Sequence, residues 1–278
     1  MSILVELLMN ASRAGEKRAG VLGLDGSRVD EIKVPKTFYA PRREDLVWRA
    51  FIHLQTHTLQ PKGAFKGSGH KYSAESLGVG LGIARIARIK ARGTGKAQAG
   101  GMVPSAVGGR PTHPPVPEKK IHKDLNEKEK KMALLVAIAY TADREAVVRR
   151  GHRVPEDLEL PIVVDDRIES IAKTRELEEF LKKLGLGEEL ERCKLKKIRA
   201  GKGKRRGRRY KRRVGPLIVV LEDKGIFDAA DNLPGVDVVR LKDLSVLHLA
   251  PGAKPGRLTI WSKSAFENLD EIVLGGVG

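Results

Sequence analysis

Phosphate binding is the first chemistry that the sequence suggests. The residues GTGK at 93–96 resemble the end of the loop motif G-x-x-x-x-G-K-[ST], which cradles nucleotide phosphates. The match fails at both ends, because the first glycine of the motif would fall on Lys90 and Ala97 replaces the serine or threonine that holds magnesium. Gly78 and Gly80 lack the later glycine of a dinucleotide fingerprint, and no predicted strand precedes either segment. The sequence therefore does not predict nucleotide binding.

A histidine pair and an acid pair are the other candidates for chemistry. His53 and His57 have a spacing that suits a metal ion on a helix, but no third ligand is evident, and we interpret both as surface or packing residues. Asp165 and Asp166 follow an apolar run, where active sites of α/β proteins collect, yet an isolated acid pair there is more often a helix cap. Cys193 is the single cysteine, which excludes an internal disulfide and a cysteine metal cluster. We predict no catalytic residue, no metal and no cofactor.

Positive charge is the dominant property of the chain, which has 278 residues, a net charge of +18 and a pI near 10.0. The charge is concentrated in two segments. Residues 61–110 contain nine Lys or Arg and one acid, Glu75, and residues 194–213 contain thirteen Lys or Arg and no acid. The other 208 residues sum to −3. Such segments predict binding to a polyanion, and thirteen cations in twenty residues exceed an ordinary solvated surface.

The remainder of the chain predicts an α/β fold, with a mainly parallel sheet flanked by helices. Short apolar runs alternate with helical patterns, as in sheets that are covered on both faces. The runs are PIVVDD (161–166), PLIVVLE (216–222), VDVVRL (236–241) and RLTIW (257–261). A hairpin is predicted at 21–34 around Asp25-Gly26, and the main helices are predicted at 43–59, 126–142, 168–185 and 264–273. Asn126 with Glu129, and Ser264 with Glu267, are spaced as capping boxes.

We predict an α/β domain of residues 21–60 and 121–278, into which a long, extended, non-globular basic loop, 61–120, is inserted. Residues 61–110 hold 12 of the 30 glycines, which disfavour regular structure. The spacing of Ile83, Ile86 and Ile89 leaves one short helical turn open. Residues 194–213 form a second basic loop within the α/β domain, and residues 1–20 are an uncertain N-terminal extension. We expect both loops to take their order from a polyanionic partner.

No run approaches the roughly 20 apolar residues of a membrane span, and the N-terminus lacks the basic region of a signal peptide. We therefore expect no membrane partner and a cytoplasmic protein.

Several segments resemble large-subunit ribosomal protein four, in its archaeal and eukaryotic branch. They match in order and in register from about Val21 to Ile272, and the absence of a long basic tail is typical of an archaeal member. The segments are YSAESLGVGLGIARIARIKARGTGKAQAGG, RPTHPP, KDLNEKEKK, RGHRV, LPIVVDD, RAGKGKRRGRR and LAPGAKPGRLTIWSKSAFENLDE. The resemblance implies a structural constituent of the large ribosomal subunit, which binds large-subunit rRNA early in assembly, lies beside other large-subunit proteins and has no catalytic activity.

The resemblance also implies that the long loop helps to line the polypeptide exit tunnel, where it meets the nascent polypeptide, with Arg88, Lys90 and Arg92 as tunnel-lining candidates. The rRNA-binding candidates are assigned by charge and position, except for Tyr210, which could stack on a base. In the long loop they are Lys62, Lys66, Lys71, Arg85, Arg88, Lys90, Arg92, Lys96 and Arg110. In the second loop they are Lys196, Lys197, Arg199, Lys202, Lys204, Arg205, Arg206, Arg208, Arg209, Tyr210, Lys211, Arg212 and Arg213.

Two alternatives stay open at this point. One is an RNA-processing enzyme that uses the α/β domain and holds its substrate with the basic segments. The other is a general protein for condensing nucleic acid, which would bind duplex DNA and rRNA equally well.

Overall fold

A computed structural model of the chain describes residues 17–91, 93 and 95–274. The chain divides into two compact units. One consists of the residues up to Gln55 together with those from Lys123 onward, and we call it the α/β unit. The other, Thr56–His122, is here called the inserted unit.

The helices and strands follow each other in the order expected of an α/β protein. The strands are β1 (Arg18–Leu22), β2 (Arg28–Lys33), β3 (Ala74–Glu75), β4 (Arg88–Ile89), β5 (Ile162–Val164), β6 (Lys197–Ile198), β7 (Tyr210–Lys211), β8 (Leu217–Val220), β9 (Asp237–Arg240) and β10 (Thr259–Ser262). The helices are α1 (Glu44–Gln55), α2 (Glu127–Ala139), α3 (Arg144–Arg150), α4 (Thr174–Lys183), α5 (Gly187–Lys194), α6 (Ile226–Asp231), α7 (Val246–Leu249), α8 (Lys263–Glu267) and α9 (Leu269–Leu274).

The α/β unit is built on a six-stranded sheet in the order β2-β1-β5-β10-β8-β9. The β1–β2 pair is antiparallel and all other pairs of this sheet are parallel, which confirms the predicted mainly parallel sheet. Each predicted apolar run supplies one strand, and the predicted hairpin is β1–β2. Because β1 begins at Arg18, residues 18–20 of the predicted extension 1–20 belong to the sheet.

The central strands are buried throughout because helices cover both faces of the sheet. Every residue of β5, β8 and β10 is buried. Successive side chains of a strand point to opposite faces, and Val163 accordingly packs in one apolar layer while Ile162 and Val164 pack in the other. In the first layer the ring of Trp261 meets that of Phe38 edge to face, with centroids 5.8 Å apart. Burial on both faces explains why β5 and β8 appear in the sequence as continuous apolar runs.

Several helix predictions need correction. The segment predicted as a helix at 168–185 is a 3₁₀ turn, Asp166–Ser170, followed by α4. Helix α1 ends at Gln55 rather than near 59, and the predicted terminal helix is divided at Asn268 into α8 and α9. Helices α3 and α5 were not predicted, because their short, charged sequences present no long apolar stripe.

Both predicted capping boxes are wrong. The side chain of Asn126 makes no cap hydrogen bond to α2, and Glu129 instead pairs with Arg49, with Nε and Oε1 3.1 Å apart. Helix α8 begins directly after β10, so its cap is Ser262, whose hydroxyl accepts from the backbone N of Ala265 at 3.3 Å. The position of the strand end, rather than the spacing of serine and glutamate, decides where this helix starts.

A buried carboxylate holds both ends of residues 194–213, which we call the basic hairpin. Glu189 on α5 is 0% exposed and accepts hydrogen bonds from Nε and Nη2 of Arg192, at 2.7 and 2.6 Å, and from the backbone N of Arg153, at 3.0 Å. The Nδ1 of His152 lies 2.6 Å from its Oε1. Arg192 Nη2 also donates to the carbonyl of Val214 at 2.7 Å. Since α5 leads into the hairpin and Val214 follows it, one buried cluster holds both ends.

A second buried guanidinium holds the chain as it leaves the basic hairpin. Arg257 is 2% exposed, pairs with Asp237, and donates from Nε to the carbonyl of Gly215 at 2.9 Å and from Nη1 to that of His248 at 2.9 Å. A Cβ on Gly215 would lie only 2.7 Å from Sγ of Cys193. The two ends of the hairpin therefore lie against each other, and only glycine allows that approach.

Replacing Glu189 with Gln is expected to destabilise the protein strongly. Removing the charge leaves the guanidinium of Arg192, whose side chain is only 11% exposed, without its counter-charge. Breaking a buried ion pair typically costs about 3–5 kcal/mol. Denaturant titration at neutral pH should show a loss of this order. Glu188→Gln is the matched control, because the carboxylate of Glu188 is exposed and makes one long contact, 3.4 Å, with Arg153 Nη1. Its free energy of unfolding should change by less than about 0.5 kcal/mol. Equal stability of the two variants would contradict the prediction.

The same two variants also test how the free energy of unfolding depends on pH. Burial raises the pKa of the Glu189 carboxyl, but the hydrogen bonds from Arg192, His152 and the Arg153 backbone outweigh burial and lower its pKa to about 2. A glutamate of the unfolded chain titrates near pH ~4.3. The ionised carboxylate therefore stabilises the fold above about pH 4.3, and this contribution, on the order of 3 kcal/mol, is lost as the pH falls toward about 2. The difference in unfolding free energy between Glu188→Gln and Glu189→Gln should therefore shrink as the pH falls from about 4.3 toward about 2. A difference that stays constant would rule out ionisation of Glu189 as its source.

Candidate nucleic-acid interface

The basic hairpin has a defined backbone although it consists largely of like charges. Strands β6 and β7 pair antiparallel, with Lys197 opposite Lys211 and Ile198 opposite Tyr210. A 3₁₀ turn, Lys202–Arg206, closes the hairpin. The turn is flanked by Gly201 (φ 77°) and Gly207 (φ 76°), in the left-handed region that glycine tolerates. The held ends and the strand pairing define this backbone through contacts within the chain itself.

The cations of the basic hairpin point their charge into solvent. Lys194 pairs with Glu178, with 2.9 Å between Nζ and Oε1, but within the described part of the chain no cation from Lys196 to Arg213 forms an ion pair with a carboxylate. Arg199 is engaged with the backbone of the hairpin itself, since its Nε donates to the carbonyl of Arg208 at 3.0 Å. The other predicted binding residues of this segment, Lys196, Lys197, Lys202, Lys204, Arg205, Arg206, Arg208, Arg209, Tyr210, Lys211, Arg212 and Arg213, are exposed.

The inserted unit consists of an outgoing and a returning limb that run antiparallel. The ring of His57 stacks on that of His122, with centroids 5.2 Å apart, and the backbone N of Ala64 donates to the carbonyl of Pro115 at 3.1 Å. Further along, a Cβ on Gly69 would collide with the backbone of Arg110. The residue numbers of these contacts rise on one limb as they fall on the other, which is the geometry of a chain that goes out and returns beside itself.

Three short stretches of chain meet within the inserted unit. Strands β3 and β4 pair antiparallel, and on the other side of β4 the backbone N of Ile89 donates to the carbonyl of Ala99 at 2.9 Å. A Cβ on Gly101 would lie 2.8 Å from Cγ1 of Ile89. The glycine content here serves the close approach of the chain to itself. The helical turn left open for Ile83, Ile86 and Ile89 is not formed, because Arg88–Ile89 is a strand.

The predicted cations of the inserted unit differ in how they are engaged. Lys96 donates from Nζ to the hydroxyl of Tyr72 at 2.8 Å, and this hydrogen bond lowers the pKa of that tyrosine. Nζ of Lys71 lies 5.8 Å from the ring centroid of Phe65. Both lysines are exposed, as are the remaining predicted cations Lys62, Lys66, Arg85 and Arg110.

The three tunnel-lining candidates have different surroundings. Arg88 is half-buried and donates from Nη1 to the carbonyl of Gln98 at 2.9 Å, so this nitrogen already has a partner in the chain. Lys90 is exposed and pairs with Glu75, the one acid of residues 61–110. Its hydrogen bond lowers the pKa of the Glu75 carboxyl. Arg92 lies outside the described residues.

The carboxylates at the carboxyl ends of the strands have structural partners. Asp165 accepts from the backbone N of Asp166 at 2.8 Å, and Asp166 accepts from the N and Oγ of Ser264, at 2.8 and 2.6 Å, which confirms their interpretation as caps. The buried Glu169 accepts from the N of Leu221 at 2.9 Å and from Oγ of Ser262 at 3.0 Å. These groups join β5, β8 and β10 to the elements that follow them.

The remaining candidates for chemistry are the histidines of the predicted pair, a metal site and a cavity. His53 is hydrogen-bonded through Nδ1 to the carbonyl of Asp124, at 2.9 Å. Among the described residues no three His, Cys, Asp or Glu side chains meet so as to hold a metal ion. A cavity of about 670 Å³ in the α/β unit is bordered by Arg42 and Asp143, which pair with each other at 3.0 Å. None of the carboxylates at the strand ends lines it. No helix in the described part of the chain has the length and apolar content to cross a bilayer.

Sequence reasoning found the basic segments but missed the residues that hold them. Glu189, Arg192 and Arg257 lie outside both charge runs, and their role depends on contacts with residues far away in the sequence. The only signal was the three-residue spacing of Glu189 and Arg192, which is common on exposed helices.

The sequence is similar to those of known proteins over nearly its whole length. The model of the ribosomal protein L4/L1 family matches residues 32–272. The large ribosomal subunit protein uL4 of Saccharolobus solfataricus is 47% identical over 258 residues, which cover 92% of this chain and 95% of the relative. The protein of the same name from Saccharolobus islandicus is 45% identical over 258 residues, with the same coverage. The chain thus belongs to the ribosomal protein L4/L1 family, as its resemblance to large-subunit ribosomal protein four predicts.

Proposed function

We propose that this protein is a structural constituent of the large ribosomal subunit and binds large-subunit rRNA in the cytoplasmic ribosome. The names of the Saccharolobus relatives support a place in the large ribosomal subunit, and the match covers nearly the whole chain. Family membership favours this function over an RNA-processing enzyme. The proposal assigns no catalytic role to the α/β unit, whose part is to fold independently and hold the basic hairpin.

The observation that carries the RNA-binding proposal is the set of unpaired cations on a hairpin whose ends are held. No cation from Lys196 to Arg213 is ion-paired with an acid among the described residues, so each can meet a phosphate without first leaving a carboxylate. Arginine can bind phosphate through two parallel hydrogen bonds, whereas lysine acts as a point charge. A hairpin fixed in direction loses little conformational freedom on binding.

The inserted unit is proposed to pass between rRNA helices, to support early assembly and to reach the exit tunnel. Its two limbs are glycine-rich and basic, which suits a chain that must lie close to phosphate backbones. Lys90 and Arg92, with the less accessible Arg88, are the proposed contacts near the nascent polypeptide. Other large-subunit proteins are the proposed neighbours of the α/β unit.

Sedimentation separates this function from its alternatives. Epitope-tagged protein expressed in an archaeal cell should sediment with large ribosomal subunits and remain there after a wash in moderate salt. Cleavage or modification of RNA by the purified protein would support an enzyme instead. Equal affinity for duplex DNA and rRNA would support a protein that condenses nucleic acid.

Binding to rRNA should depend steeply on salt. If about ten cations contact phosphates, the logarithm of the association constant should fall with the logarithm of the salt concentration at a slope of roughly −7 to −9, because condensed counterions are released. Filter binding to deproteinised large-subunit rRNA over a series of potassium chloride concentrations measures the slope. A nearly flat response would contradict binding through the basic segments.

Replacing Arg205, Arg206, Arg208 and Arg209 together with Ala should weaken rRNA binding and make the salt slope shallower by about 3, because up to four phosphate contacts are lost. The unfolding free energy should change little, since all four side chains are exposed.

A second variant with the same change in net charge is the control for this replacement. It carries Ala at Lys173, Arg175, Lys182 and Lys183, each of which is paired with an acid of the α/β unit. Its salt slope should stay within about 1 of the original. If both variants lose the same affinity, net charge rather than the hairpin surface governs binding.

A further inference from the structure

One face of the basic hairpin carries an apolar pair among the cations. Ile198 and Tyr210 stand directly opposite each other in β6 and β7, and opposed residues of an antiparallel pair share a face. Lys197 and Lys211, the neighbouring opposed pair, lie on the other face because side chains alternate along a strand. Ile198 is 55% exposed and Tyr210 is 50% exposed, so neither belongs to the core of the α/β unit.

The backbone on both sides of Tyr210 is fixed by Arg199. The N of Arg199 donates to the carbonyl of Arg209 at 2.8 Å, and its side chain donates from Nε to the carbonyl of Arg208 at 3.0 Å and from Nη2 to that of Tyr210 at 3.4 Å. The guanidinium carbon of Arg209 lies 5.8 Å from the centroid of the Tyr210 ring, within range of a cation–π contact. The ring is therefore presented from a fixed backbone with part of its surface open.

We propose that Ile198 and Tyr210 form a platform on which one unstacked nucleobase of the rRNA lies. The inference rests on the proposed rRNA binding and adds to it a contact that reads a base rather than a phosphate. Neither side chain can neutralise a phosphate, but a tyrosine ring offers a flat surface to a base, and the isoleucine beside it covers apolar area of the same base. The exposed cations Lys196 and Arg212, which flank the pair along the chain, suit the phosphates on either side of that nucleotide.

Charge decides between a base and a protein side chain as the occupant. The hairpin from Lys196 to Arg213 contains twelve Lys or Arg and no acid, so whatever covers the apolar pair also lies among these cations. A nucleotide brings its own negative charge, whereas an apolar protein surface would leave the cations unneutralised or would have to be ringed with carboxylates. An uninterrupted RNA duplex keeps its bases stacked inside, so the site selects a loop, bulge or end.

The test compares three variants of the full-length protein on deproteinised large-subunit rRNA and on an uninterrupted RNA duplex. Tyr210→Phe keeps the ring and should bind as the original does. Tyr210→Leu should bind the rRNA about 5- to 100-fold more weakly with an unchanged salt slope, because a stacking contact releases no counterion. Lys211→Ala, the adjacent residue on the opposite face, should instead make the slope shallower by about 0.7 to 0.9. On the duplex, Tyr210→Leu should bind like the original.

The outcomes separate the platform from the function on which it rests. If the original protein shows no salt-dependent affinity for rRNA, the proposed function fails. If it binds, but Tyr210→Leu binds equally well, the platform proposal fails alone, and a neighbouring protein becomes the occupant to test. A salt slope that changes with Tyr210→Leu would also overturn the platform proposal, since the residue would then act on phosphate binding.

Circular dichroism and denaturant titration should show that Tyr210→Leu is folded, because the Tyr210 side chain is half exposed. An ultraviolet crosslink between Tyr210 and a single nucleotide would support the platform without any substitution.

Discussion

The buried carboxylate of Glu189 is the interaction on which the presentation of the basic hairpin depends. Thirteen cations in twenty residues repel one another, and such a segment has no apolar core with which to hold a shape. Its direction must therefore be imposed from its ends. Glu189 does this by binding Arg192, which in turn binds Val214, so that the chain entering the hairpin and the chain leaving it share one buried cluster. Arg257 and Gly215 extend the same arrangement to the first strand that follows.

The inserted unit solves a similar problem by different means. It has little apolar core, and its two limbs are held by contacts of the backbone with itself. These contacts need glycine where a Cβ would collide, as at Gly69 against Arg110 and Gly101 against Ile89. The basic hairpin is held by a buried cluster at its ends in addition to its strand pairing, whereas the inserted unit is held along its length by contacts of its own backbone, so the two basic regions are physically distinct.

The sequence predicts the sheet well and the details around the basic hairpin poorly, for identifiable reasons. Strands β5 and β8, buried on both faces, read as continuous apolar runs. Strands β9 and β10 are also predicted, although β9 is largely exposed and β10 contains Thr259 and Ser262. Helix α5 is not visible, because GEELERCK has too many charges to show an apolar stripe. The partners of Glu189 include His152 and Arg153, while Arg192 reaches Val214, and nothing in the local pattern brings these segments together. Tyr210 stood out as the lone aromatic, whereas Ile198 did not, because its position opposite Tyr210 depends on the length of the turn.

The burial of Glu189 also explains how an acid can lie at the base of a phosphate-binding surface. An exposed carboxylate there would repel RNA and would neutralise the nearest cations of the hairpin. Glu189 is fully buried, and its charge is balanced by the guanidinium of Arg192, so the cluster presents little net field to the solvent. Lys90 with Glu75 is the opposite case, since that pair is exposed and an approaching phosphate must compete with the carboxylate. Among the described residues Lys194 pairs with Glu178 but no cation from Lys196 to Arg213 pairs with an acid, which makes that part of the hairpin the stronger candidate for constitutive phosphate contacts.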